Sequence, residues 1–155
     1  MPGLGFLSSH GHGLLARGYP IVPIRPGQKH PGFDGWQKTP ASDALLGEWL
    51  AGDFTDGGVG ILAARFPAVD VDVTDEDVIA NLLTWIKDNI PGSPPVRFGR
   101  KPRRLLMYRT YEPFRKVQSR TYEGPNGERH KVEILGEGQQ YVAYHVHPDT
   151  HQPYS

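Results

Sequence analysis

The chain has 155 residues, enough for one domain with a substantial core, and Lys plus Arg balances Asp plus Glu at 17 each. Net charge therefore gives no sign of a polyanionic partner, the lack of Cys excludes disulfides and thiolate metal sites, and no apolar run reaches membrane-spanning length. The N-terminus lacks a charged start followed by an apolar core, so no signal peptide is expected and the protein is expected to be cytoplasmic.

Residues 1–13 are rich in Gly and Ser and are expected to be loosely ordered, His10 and His12 included. Leu14, Leu15 and Ala16 suggest a short helix stopped at Gly18. Residues 19–24 read as a short strand whose Pro residues suit an edge or an end. Residues 25–39 form a long irregular loop holding Lys29, His30, Pro31 and Trp36, of a kind that is usually functional or mobile in a small domain. Ser42 is placed to cap a helix over residues 42–50, with Leu45, Leu46 and Trp49 along one face.

Residues 57–62 form a strand entered through glycines, expected to pair as a hairpin with the next strand through Arg65-Phe66-Pro67. That next strand, Ala68-Val69-Asp70-Val71-Asp72-Val73, organises the chain. Its two-residue period sends the Val residues to one face and Asp70 and Asp72 to the other, roughly 6.5–7 Å apart. Carboxylates held that close repel each other, and both stay ionised only when cations neutralise them, which hard divalent ions do well. An edge strand with a wet face is the plainer explanation, but Asp is poor in strands and alternate Asp between Val is costly. Thr74 can cap the following helix, with Asp75, Glu76 and Asp77 in its first turn and apolar spacing from Val78 to about Ile90.

Residues 96–100 and 105–109 are two strands joined by the basic turn Lys101-Pro102-Arg103-Arg104. Between Arg97 and Arg120 lie nine Lys and Arg residues against one acid, Glu112, which suggests a surface facing a polyanion. A strand over 130–135 and a return strand over 140–147 are expected to form a hairpin through Gly136-Glu137-Gly138. On the first of them Val132 and Ile134 face the core and Glu133 the other side, where it can join the Asp pair as a third carboxylate for Mg²⁺ or Mn²⁺. Arg97, Lys101, Arg103, Arg104 and Arg109 are available for the residual phosphate charge of a nucleoside triphosphate. His145 and His147 alternate on the last strand, suiting Zn²⁺, a nucleotide or DNA. The pattern as a whole is a single mixed α+β domain over residues 1–155.

Taken together, these stretches resemble the N-terminal primase–polymerase (prim-pol) domain of the archaeo-eukaryotic primase superfamily, carried by phages, plasmids and integrated elements. The resemblance is carried by Pro23 with Lys29 and Pro31 ahead of Trp36, by Gly58-Val59-Gly60 before Val69-Asp70-Val71-Asp72, by Val132-Glu133-Ile134-Leu135, and by His147-Pro148 before Pro153-Tyr154. It runs from about Leu14 to the last residue. It implies an RRM-like, antiparallel-rich sheet with flanking helices, and template-directed nucleotidyl transfer by a two-metal mechanism. Asp70, Asp72 and Glu133 would be both catalytic residues and ligands of two Mg²⁺ or Mn²⁺ ions. Lys29, Arg97, Lys101, Arg104, Arg109, His145 and His147 would contact nucleotide or single-stranded DNA. The partners implied are nucleoside triphosphates and a single-stranded template, with a replicative helicase as a separate chain or a further domain, since no helicase segment is present here.

The chain departs from the family pattern twice. Many members carry a Ser-x-His motif on the hairpin after the Asp pair, where this chain has no His and Arg97, Lys101 or Arg104 is the expected substitute. The tail pattern usually has Ser two positions before its His, and here that residue is His145. An inactive relative that only binds nucleotide or single-stranded DNA, and a metal-dependent nuclease, are the alternatives.

Overall fold

The computed structural model describes residues 5–155. In chain order the elements are α1 (Phe6–Ala16), β1 (Ile21–Ile24), a 3-10 turn (Trp36–Lys38), α2 (Asp43–Ala51), β2 (Gly58–Leu62), β3 (Ala68–Asp72), α3 (Glu76–Asn89), β4 (Val96–Arg97), β5 (Arg104–Met107), β6 (Val117–Gln118), β7 (Tyr122–Glu123), β8 (Arg129–Leu135) and β9 (Gln140–Tyr144). The chain divides into two compact units, one made of residues up to Ala63 with 138–154, the other of residues 64–137 with Ser155. Among the described residues no helix is long and apolar enough to cross a membrane.

In the first unit, β2 lies between β1 and β9, antiparallel to both. β2 is buried along its whole length, so neither of its faces can afford a charge. Pro23 lies in edge strand β1, where a missing N–H leaves no gap in the sheet. Helix α1 begins at Phe6, well before the expected start, and it includes His10 and His12. Burial of Leu7 and Leu14 on one side of it supplies the order that a Gly- and Ser-rich sequence does not promise. His10 is stacked on Tyr144 with ring centroids 4.0 Å apart. Ser42 caps α2 as expected, its hydroxyl accepting from the Leu45 N–H at 3.2 Å.

The second unit is a sheet in the order β4-β5-β3-β8-β6, with β7 paired to β8 off this path. Helix α3 covers one face. Ile79 and Ile86 pack there with Val69, Val71, Val73 and Leu106, and Val132 and Ile134 lie against the same cluster. The cap of α3 is Asp75 rather than Thr74: its Oδ1 accepts from the N–H groups of Asp77 at 3.0 Å and Val78 at 3.1 Å. Asp75→Ala is expected to cost about 1 kcal/mol, seen as a fall of roughly 2–4 °C in the thermal midpoint. An unchanged midpoint would show that α3 does not depend on this cap.

Two expected hairpins are absent. β2 and β3 do not pair: β2 belongs to the first sheet and β3 to the second. Nor do β8 and β9 pair, because β8 lies against β3 and β9 against β2. The reason is burial. β2 is enclosed on both faces, whereas β3 and the Glu133 end of β8 carry one apolar face and one polar face. A strand pairs where both of its faces are satisfied, and this outweighs closeness in sequence.

Candidate functional site

β3 is the central strand of its sheet, so neighbours on both sides determine what stands beside each Asp. Asp70 is directly across from Glu133 on β8 and from Leu105 on β5. Leu105 is in turn across from Arg97 on β4. Residues directly opposite in an antiparallel pair share a face, with Cβ atoms about 4.5–5.5 Å apart. One row across the sheet therefore reads Arg97, Leu105, Asp70, Glu133 and, on β6, Gln118. Along the strand, Asp72 shares this face and stands across from Lys131.

Three cations meet these acids. Arg103 Nε lies 2.7 Å from Asp72 Oδ1. Lys131 Nζ and Lys116 Nζ lie 2.9 Å and 3.1 Å from the same oxygen, Glu133 Oε1. Glu133 is buried, which opposes its ionisation, but the two ammonium groups outweigh burial and hold its carboxyl below the usual range. Asp70 is the exception. Burial first, and then the charges of Asp72 and Glu133, push its pKa up to about 6, although Arg97 and Lys131 pull it down. Asp70 is thus the acid of this face most in need of added positive charge.

Among the described residues, no three His, Cys, Asp or Glu side chains are gathered so as to hold a metal ion as they stand. The cations account for this, since Glu133 is turned to the lysines and Asp72 to Arg103. The donors themselves suit a hard divalent cation: they are all carboxylate oxygens on one sheet face, and one of them is destabilised as an anion, chiefly by burial.

The other residues singled out in the sequence fall in several places. Arg97 stands in the row with Asp70. Arg104 is across from Val71, which puts it on the opposite face of the sheet from the carboxylates. There it lies over the Phe98 ring at 4.9 Å, with Lys101 over the same ring at 5.2 Å. Arg109 is exposed and lies over Phe66 at 5.2 Å. Lys29 is exposed in its loop, and its carbonyl accepts from Gln140 Nε2 at 2.9 Å.

His145 and His147 lie past the end of β9 and are 3 % and 4 % exposed. His145 Nε2 is 3.2 Å from the Arg25 carbonyl, at the start of the loop that holds Lys29. Burial lowers the pKa of His145 and favours its neutral form. His147 Nδ1 accepts from the N–H groups of Asp149 and Thr150 at 3.2 and 3.4 Å, closing the turn that begins at Pro148. Both imidazoles hold backbone in place.

Lys131 and Lys116 were not among the expected site residues. Lys131 was within reach of the sequence, because Lys131-x-Glu133 in a strand puts both side chains on one face. Lys116 was not, because its place depends on short edge strand β6 pairing with β8.

The chain matches the family model "Bifunctional DNA primase/polymerase, N-terminal" over residues 12–155. No curated protein matches it. The matched stretch takes in all of the second unit, most of the first and every residue of the carboxylate face, in a mixed α+β chain of antiparallel sheets. The chain therefore belongs to the bifunctional DNA primase/polymerase N-terminal domain family, and membership implies primase/polymerase-type activity on nucleotide and DNA substrates.

Proposed function

We propose that this chain catalyses template-directed nucleotidyl transfer on single-stranded DNA, joining nucleotides to a primer 3′-hydroxyl or to an initiating nucleotide. The observation that carries this is the row of the sheet in which Glu133 stands across from Asp70, with Asp72 on the same face and Arg97 in line. Asp70, Asp72 and Glu133 are the groups that would hold two Mg²⁺ or Mn²⁺ ions. Such ions, when bound, ease deprotonation of the attacking hydroxyl and neutralise the departing pyrophosphate. Arg97 is positioned for the triphosphate, because a guanidinium keeps its charge at any pH and grips phosphate through paired N–H donors. Leu105, 1 % exposed between Arg97 and Asp70, keeps that part of the row dry and strengthens the electrostatics there. Exposed Lys29, Lys101 and Arg109 are assigned to the nucleic acid, and Arg104, His145 and His147 to packing. The setting is replication of a phage, plasmid or integrated element, with a helicase as partner.

A second function, binding of nucleotide or single-stranded DNA without synthesis, is favoured by one observation. The β5 residue across from Asp70 is Leu105, and no His stands on this hairpin. Incubation with labelled nucleotides, a single-stranded template and Mn²⁺, with and without a primer, separates the two. Incorporation is expected, and Glu133→Gln is expected to lower it about a hundredfold or more with an unchanged circular dichroism spectrum. Salt-sensitive DNA binding without incorporation under any metal condition would establish the second function instead. Loss of labelled template without added nucleotides would point to hydrolysis.

A further inference from the structure

We propose that Lys131 and Lys116 are exchangeable counterions of the carboxylate face: they neutralise Glu133 in the metal-free protein, leave it when a divalent ion arrives, and then bind the triphosphate. The proposal rests on Asp70, Asp72 and Glu133 being the metal ligands. Both ammonium groups converge on one oxygen, Glu133 Oε1, at 2.9 and 3.1 Å. Two ammonium groups bring to this oxygen the same formal charge as one divalent ion, at a longer distance. A metal ion bound through Oε1 would take lone-pair directions that the ammonium groups now use, so the two compete for this oxygen.

Neither lysine is committed to a buried position. Their side chains are 38 % and 35 % exposed, whereas Glu133 is 10 % exposed. The acid is therefore fixed while the cations are free to swing on flexible stems. Lys131 stands across from Asp72 in the register, and its ammonium also feels the charges of Asp72 and Asp70. The Lys131 ammonium, once displaced from Glu133, thus stays beside the other two acids, where a metal-bound polyphosphate would bring new negative charge. Arg103 holds Asp72 in the same manner at 2.7 Å. Three carboxylates on this face are thus met by the four cations Arg97, Arg103, Lys116 and Lys131, a formal surplus of one positive charge without any metal.

Exchange predicts effects of opposite sign on two ligands. Lys131→Met removes a competitor for Glu133, so binding of Mn²⁺ alone, followed by electron paramagnetic resonance on the full chain, is expected to tighten about threefold to tenfold. Binding of a deoxynucleoside triphosphate in the presence of Ca²⁺ is expected to weaken by about threefold or more in the same variant. Lys116→Met is expected to move both affinities in the same directions, and Lys131→Gln serves where the Met variant does not fold. A lysine needed only for folding would weaken both ligands together. Mn²⁺ binding that Glu133→Gln weakens, but that neither lysine variant tightens, would overturn the exchange and leave the ligand assignment standing. Absence of Mn²⁺ binding in the wild-type protein would overturn both.

Discussion

Asp70→Asn is expected to lower nucleotide incorporation by about a hundredfold to a thousandfold or more and, at neutral pH, to make the protein more stable. Both effects have one origin. Asp70 sits in the middle strand of its sheet, across from another acid and two residues from a third. Its pKa is about 6 in the folded chain, against 3.8 for an unperturbed group. The folded state therefore binds this proton more tightly than the unfolded state does. The contribution of Asp70 to stability is greatest below about pH 4 and falls as the pH rises toward 6, by about 3 kcal/mol at most. Asn has the shape of the neutral acid and no charge to desolvate, so the variant lacks this pH dependence. Urea melts at pH 4 and pH 7 should show similar stabilities at the lower pH and a gap in favour of the variant at the higher one. Mn²⁺ should narrow that gap by stabilising only the wild-type protein. A variant that retained full incorporation would remove Asp70 from the chemistry. Identical pH dependence in the two proteins would mean that this carboxyl is not the destabilised one.

Gly58→Ala is expected to cost about 3 kcal/mol or more, a fall of roughly 6–12 °C in the thermal midpoint. A Cβ at residue 58 would lie 2.5 Å from Cγ and 2.6 Å from Nδ1 of His145, and 2.6 Å from the Tyr144 carbonyl oxygen. The ring cannot retreat cheaply, because His145 is buried and its Nε2 is engaged with the Arg25 carbonyl. Backbone at Tyr144 cannot retreat without opening the β2–β9 pairing, which is already irregular between Val59 and Gly60. Gly13→Ala is the matching control. That site in α1 has open space around it, and Ala is the better helix former by up to about 1 kcal/mol. Equal midpoints for Gly58→Ala and the wild-type protein would show that β9 shifts freely, and the fixed placement of His145 would fall with that result. The glycines of β2 are thus explained by close approach, of His145 and Tyr144 at Gly58 and of β1 and β9 side chains at Gly60, rather than by a turn.

Much of the site was legible because its elements are short-range patterns. Period-two alternation set Asp70 and Asp72 on one face and the Val residues on the other, and α3 covers the Val face as the apolar spacing of Ile79 and Ile86 requires. Glu133 was assigned to the polar face of its strand by the same rule, and β8 does carry it to the side of the Asp pair. What the sequence could not give was which strands are neighbours. Short turns favoured a hairpin between β2 and β3 and another between β8 and β9, and neither forms.

By itself, then, the order of residues determined the faces of β3 and β8 and the helices α2 and α3, since each depends on residues within a few positions of one another, and it determined the kinship of the chain through an ordered series of short motifs. Tertiary structure decided that Asp70 rather than Asp72 meets Glu133, that Arg97 faces the acids while Arg104 turns away, that Lys116 reaches Glu133 from an edge strand, and that His145 and His147 are buried. Those outcomes follow from which strands pair with which, in several cases across long stretches of intervening chain. That pairing is settled by which faces can be buried together, a property no local stretch of sequence contains.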